Sequence, residues 1–149
     1  MESGPAPVPA PAARPFALRP RAAAIADRED VLAALGAPGV VVVNALSAEQ
    51  HAGTGGLAYH RPGRIAGSRN LPAPLLADAG LGPEAVAALA EQAGIAKGDR
   101  VIAYCGGGIA ASNLAFNLLR AGWSDLAVYD GSLDEWGRDP SLPMEAGPG

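Results

Sequence analysis

Val101-Ile-Ala-Tyr-Cys-Gly-Gly-Gly-Ile-Ala-Ala-Ser112 decides the reading of this chain. An apolar run ends at Cys105, three glycines follow, and a helical pattern starts near Ile109. The run from Val101 to Tyr104 reads as a strand buried on both faces. Glycines let successive backbone N–H groups turn inward and form a concave anion nest. The helix start adds the positive end of its dipole. A thiol at this junction feels both fields, and both stabilise sulfur as an anion, its nucleophilic form. A lone cysteine after a strand can instead be a small buried hydrophobe. The glycine run favours the reactive reading, because sites in α/β folds form at the C-terminal ends of strands. A nucleotide-phosphate loop fits poorly. The Lys-Ser/Thr ending is missing, and Gly106-Gly107-Gly108 does not match the dinucleotide fingerprint.

Outward from this block, strand and helix patterns alternate. Asp27 is placed to N-cap a short helix through Leu35, and Gly36 ends it. Val40 to Val43 is a β-branched run of the buried-strand type. Ser47 opens a helical turn, with Gln50 at the capping-box position. Gly53 to Pro74 is rich in Gly, Pro, Arg and Asn and reads as a long irregular loop, of the kind that is often functional. Pro83 suits a helix's first turn, Val86, Leu89 and Ala90 give that helix an apolar stripe, and Gly94 closes it. Ile109 to about Ala121 is a helix, Leu126 to Tyr129 a strand, and Ser132 to Trp136 a last helical turn. Trp136 is expected to anchor that turn by packing. The alternation predicts an α/β fold whose parallel sheet is covered on both faces.

The 149 residues fit one domain with its own core, and the net charge of −4 argues against a nucleic-acid or anionic-membrane partner. One cysteine cannot form an internal disulfide or a four-cysteine zinc site. No apolar run approaches the roughly 20 residues that span a bilayer. Prolines from Pro5 to Pro15 interrupt any signal-peptide core, so a cytoplasmic location is expected. Residues 1–20 form a Pro/Ala-rich arm expected to be disordered, 21–145 the domain, and 146–149 a flexible tail.

Several segments resemble those of rhodanese-like sulfurtransferases, in the right order and over nearly all of Arg21 to Glu145. The Cys105 block resembles their active-site loop. Tyr129-Asp-Gly-Ser132, Glu135-Trp136 and Leu142-Pro143 look like the closing segment of the thiosulfate and mercaptopyruvate enzymes. Arg61-Pro-Gly-Arg-Ile-Ala-Gly-Ser-Arg-Asn-Leu-Pro72 is similar to the family's "H-I-P-G-A-x-N-I-P", with Arg64 at the histidine position. Val41-Val-Val-Asn-Ala-Leu-Ser-Ala-Glu-Gln50 resembles "D-x-R-S-x-E-E", with Asn44 for the acid and Leu46 for the arginine; a further family arginine falls near Gln50. The resemblance implies a single domain with a central five-stranded parallel sheet flanked by helices on both faces. It implies sulfur transfer through a Cys105 persulfide, without metal or organic cofactor. The donor would be a small anion, thiosulfate or 3-mercaptopyruvate, and the acceptor cyanide, a thiol or a protein. A catalytically silent binding module is the alternative, because Asn44 and Leu46 depart from the pattern.

On this reading Cys105 is catalytic. Gly106, Gly107, Gly108, Ile109, Ala110 and Ala111 hold the charge, and Asn44, Arg64 and Arg69 are candidates to meet the substrate. Arg61 is a weaker candidate. Phosphatase chemistry needs an arginine to clamp the phosphate oxygens at the loop's end, and none is present. His51 and His60 lack acidic partners at useful spacing and read as ordinary surface or loop histidines. Asp130 either bonds near the active-site loop or caps the turn at Gly131 and Ser132.

Overall fold

The computed structural model describes residues 22–77 and 81–148. The proposed arm, residues 1–20, lies outside the described residues. Five strands form one parallel sheet: β1 (Ile25–Ala26), β2 (Val40–Asn44), β4 (Arg69–Asn70), β5 (Arg100–Tyr104) and β6 (Leu126–Tyr129), in the order β1-β6-β5-β2-β4. The strand that leads to Cys105 is therefore the central one. A separate antiparallel ribbon pairs β3 (Arg64–Ile65) with β7 (Met144–Glu145).

Side chains on β5 alternate between the two faces, as the strand period requires. Val101 and Ala103 join a core with Leu76 of α3 (Ala73–Leu76), Val86 and Ala90 of α4 (Pro83–Gln92), and Leu114 and Leu118 of α5 (Ile109–Arg120). Ile102 and Tyr104 join the opposite core, with Val31 of α1 (Arg28–Ala34) and Leu133 and Trp136 of α6 (Ser132–Trp136). Cys105 continues the alternation onto the α5 side. Trp136 is fully buried, donates to the Pro143 carbonyl and meets Tyr129 edge-on.

The local signals act as their chemistry predicts. The Asp27 side chain accepts from the Asp30 amide and the Asp30 side chain from the Asp27 amide, a complete capping box. Ser47 caps α2 (Ala48–Ala52) by accepting from the Gln50 amide, but the Gln50 side chain donates to the Leu57 carbonyl instead of closing a box. The stretch 53–74 is not wholly irregular. It supplies β3, and it supplies β4, which completes the sheet at one edge. Each strand is two residues long, too short to show a period. The edge strand β1 is short for the same reason, and the sequence pattern misses it.

At the other end, Gly147 donates to the Ala52 carbonyl and accepts from Arg64, so the described part of residues 146–149 is tied to α2 and β3.

His51 is not at the surface. It is 6% exposed within α2, and among the described residues its Nδ1 has no hydrogen-bond partner. Burial, with the nearby Arg64 charge adding to it, pushes its pKa down to about 4. The unfolded chain binds that proton at its ordinary value, so unfolding takes up a proton between the two pKa values. His51 therefore costs no stability at neutral pH, and the fold loses stability as pH falls from about 6.5 towards 4. Urea unfolding at about pH 7.5 and about pH 4.5 should show a loss on the order of 2 kcal/mol from this residue. The loss should shrink in His51→Leu; an unchanged pH dependence would remove His51 as its source.

Candidate active site

Cys105 leaves the sheet at its centre and is 2% exposed. Its backbone is fastened to α6 on both sides. The Cys105 amide donates to Ser132 Oγ at 3.0 Å, and its carbonyl accepts from the Leu133 amide at 3.1 Å. The Gly106 carbonyl accepts from the Asp134 amide at 2.9 Å. Ser132 Oγ also takes the Gly108 amide at 3.3 Å and donates to the Tyr129 carbonyl at 2.8 Å. One hydroxyl thus closes the loop from Cys105 to Gly108. Ser132 sits at φ 50°, an uncommon place for a side chain, and its three bonds hold it there.

With these carbonyls turned towards α6, the loop leaves other amides unused. Among the described residues, the amides of Gly106, Gly107, Ala110 and Ala111 find no acceptor. They frame the start of α5, whose first turn is fixed by Ser112 donating from both its amide and its hydroxyl to the Gly108 carbonyl. Two of the three glycines are required sterically. A methyl group at Gly106 would overlap the Tyr59 ring, and one at Gly108, where φ is 81°, would overlap Asp130 Oδ1. Gly107 is open and exposed.

Asn44 is fully buried and spent on structure. Its Oδ1 accepts from the Leu46 amide and its Nδ2 donates to the Tyr104 hydroxyl. That hydroxyl also accepts from the Ile65 amide at 3.0 Å, so its own proton goes to Ser68 Oγ at 2.7 Å. Burial pushes the Tyr104 pKa up to about 12, against the pull of these hydrogen bonds. The network pins the end of β5, one residue before Cys105, to β2 and to the β3–β4 connection.

The arginines are placed differently from the substrate-facing expectation. Arg64 is buried, pairs with Glu145 at 3.3 Å and donates to the Gly147 carbonyl at 2.8 Å. Arg69 is on the edge strand β4, in register with Val43, and its side chain lies against Gly94 after α4. Arg61 donates to four carbonyls, those of Trp136, Gly137, Asp139 and Leu142. It holds the segment before β3 against the end of α6. His60 reaches Asp134 at 3.0 Å and stands at φ 63°. None of these guanidinium bonds is made to the Cys105 loop.

Ser132 and Tyr59 are the residues that the sequence reading passes over. Ser132 lies in the Tyr-Asp-Gly-Ser stretch, beside the more evident polar side chain of Asp130. A serine after an Asp-Gly turn reads as a local cap, and nothing local shows that it bonds across to residue 105.

A family model for the rhodanese-like domain matches residues 27–139. The chain belongs to the rhodanese-like domain family. It is 39% identical over 85 residues to thiosulfate/3-mercaptopyruvate sulfurtransferase 2 of Arabidopsis thaliana, covering 55% of this chain and 25% of that protein. It is 34% identical over 120 residues to the 3-mercaptopyruvate sulfurtransferase of Mus musculus, covering 75% and 39%. This rhodanese-like chain thus spans between a quarter and two-fifths of the length of these relatives. Among solved structures it resembles the anaerobic ergothioneine biosynthesis enzyme from Chlorobium limicola, with a TM-score of 0.72 and 23% identity over 82% of this chain and 28% of that one. That likeness speaks for the fold alone.

The Ser132 bonds generate a prediction. Ser132→Ala leaves two buried amides without an acceptor, which should cost about 2 kcal/mol in denaturant unfolding. It should also slow thiol alkylation or sulfur loading at Cys105 in the fraction that stays folded. Unchanged stability would show that water replaces the hydroxyl at no cost.

Proposed function

We propose that this protein is a sulfurtransferase that carries sulfane sulfur as a persulfide on Cys105. The observation that carries this reading is that, among the described residues, the amides of Gly106, Gly107, Ala110 and Ala111 have no acceptor in the loop that follows Cys105 at the end of the central strand. Donors fixed in advance around a site of developing charge stabilise it without reorganising. Two half-reactions follow. The Cys105 thiolate attacks the outer sulfur of the donor, a new S–S bond forms, and the donor's own bond to that sulfur breaks with its electrons leaving on the donor. The acceptor then attacks the outer sulfur of the persulfide, and the S–S electron pair returns to Cys105 Sγ. Ping-pong kinetics are expected.

The donor we favour is a small anion, thiosulfate or 3-mercaptopyruvate, after the names of the relatives. Its charge would be met by loop amides and the α5 dipole rather than by Arg64 or Arg69, which are engaged or turned elsewhere. Cyanide, a thiol or a protein thiol would serve as acceptor. The chemistry asks for no metal or organic cofactor, and we place it in the cytoplasm. A second reading, a silent sulfur-relay or binding module, draws on the observation that, among the described residues, no guanidinium bonds the loop.

Intact-mass spectrometry of the reduced protein separates the two. After incubation with thiosulfate, or separately with 3-mercaptopyruvate, the wild-type chain should gain the mass of one sulfur. Cyanide should remove it, and Cys105→Ser should never acquire it. No adduct with either donor would favour the silent module.

A further inference from the structure

A cavity of about 410 Å³ lies at the edge of the parallel sheet, between α2 and β4, and no residue of the Cys105 loop lines it. Its walls gather polar groups that the loop does not use. Ser68 is buried and lines it. The Tyr104 hydroxyl receives protons from Asn44 and Ile65 and gives its own to Ser68 Oγ, so among the described residues the Ser68 proton has no acceptor. His51 is a second buried wall, with Nδ1 sealed and unpartnered among the described residues. Its Nε2 makes no hydrogen bond among those residues either, and is the nitrogen left for a ligand. Burial pushes the His51 pKa down to about 4, so the ring is neutral at pH 7 and its Nε2–H tautomer is a donor. Arg64 and Glu145, whose charges act on His51, are paired with each other. Arg69 is the only charged residue among the described lining, and among the described residues it enters no ion pair. Asn70 adds no donor, because Nδ2 serves the Asn44 and Leu46 carbonyls. Ala48, Ala52, Ala93 and Pro148 supply an apolar wall.

We propose that this cavity binds a small organic carboxylate, with its oxygens taken by the Arg69 guanidinium and by the Ser68 and His51 protons and its carbon chain laid on the alanine wall. The site is separate from sulfur transfer at Cys105 and does not depend on it. A buried donor without an acceptor is costly, and a ligand oxygen recovers that loss. A guanidinium fork matches the two oxygens of a carboxylate, and no lining carboxylate competes for it. A cationic ligand would meet Arg69 with no counter-charge. At about 30 Å³ of liquid per water molecule the space corresponds to roughly thirteen waters, more than a bare carboxylate group fills. The remainder faces methyl groups and a proline ring, which suit a short hydrocarbon chain.

The full chain is titrated at pH 7 and fixed ionic strength with butyrate, butyramide and acetate, and the backbone and arginine side-chain ¹H–¹⁵N signals are followed. Butyrate should give saturable shifts at Ser68, at Arg69 Nε and along α2 at His51 and Ala52. Butyramide has the same shape without the charge and should bind at least about tenfold more weakly. Acetate, two methylenes shorter, should bind at least about threefold more weakly than butyrate. Arg69→Gln should abolish the preference for butyrate over butyramide. No saturable shift at these residues, equal binding of butyrate and butyramide, or a preference that survives Arg69→Gln overturns the proposal. Acetate binding as tightly as butyrate overturns the assignment of the alanine wall to a carbon chain. The amide comparison is made on the wild-type chain, so it decides the matter even if the variant fails to fold. The same shifts are expected in Cys105→Ser, and their loss there would overturn the separation from sulfur transfer.

Discussion

The start of α6 holds the backbone of Cys105 from both directions, and the rest of the site depends on that hold. Ser132 takes the amide, Leu133 gives its amide to the carbonyl, and Asp134 does the same for Gly106. Those bonds turn the Cys105 and Gly106 carbonyls to α6. Among the described residues the amides of Gly106, Gly107, Ala110 and Ala111 are left without an acceptor, at a strand end and a helix start, where backbone dipoles favour negative charge. Without the hold, three glycines in a row would be among the most pliable segments of the chain. With it, their lack of side chains admits Tyr59 on one side and Asp130 on another.

Two further devices support it. The Tyr104 hydroxyl, joined to Asn44, Ile65 and Ser68, fixes the end of β5 from the opposite face of the sheet. Arg61 grips four carbonyls at and just beyond the end of α6 and so keeps the Tyr59 segment beside the loop. The positions where the family pattern has arginines, Leu46 and the region of Gln50, line a cavity whose one charged wall residue among those described, Arg61, is committed to backbone carbonyls. On the proposed function, stabilising charge would come from backbone dipoles.

Much of this was legible in the residues. The apolar run into Cys105, the glycines after it and the periodic helix from Ile109 identify the central strand, the loop and α5 because each feature is local. Capping at Asp27 and Ser47 and the proline at Pro83 are equally local. The short strands β1 and β4 are not, since two residues carry no period and pair only because a neighbouring strand is present. The arginines are the plainest case. Arg61 and Arg64 find their carbonyls 75 to 83 residues away, and a cation in a glycine-rich loop gives no local sign of such partners. His51 reads as a surface or loop histidine and is buried, on a helix packed against β3, with Arg64 and Glu145 near enough to act on its charge.

The central claim is that backbone amides, rather than side-chain cations, hold the sulfur's charge. Backbone ¹H–¹⁵N spectra of the reduced chain, before and after a sulfur is placed on Cys105, test it most directly. The account predicts marked downfield amide-proton shifts at Gly106, Gly107, Ala110 and Ala111, with little change at the guanidinium signals of Arg64 and Arg69. Unmoved loop amides together with shifted arginine signals would contradict it.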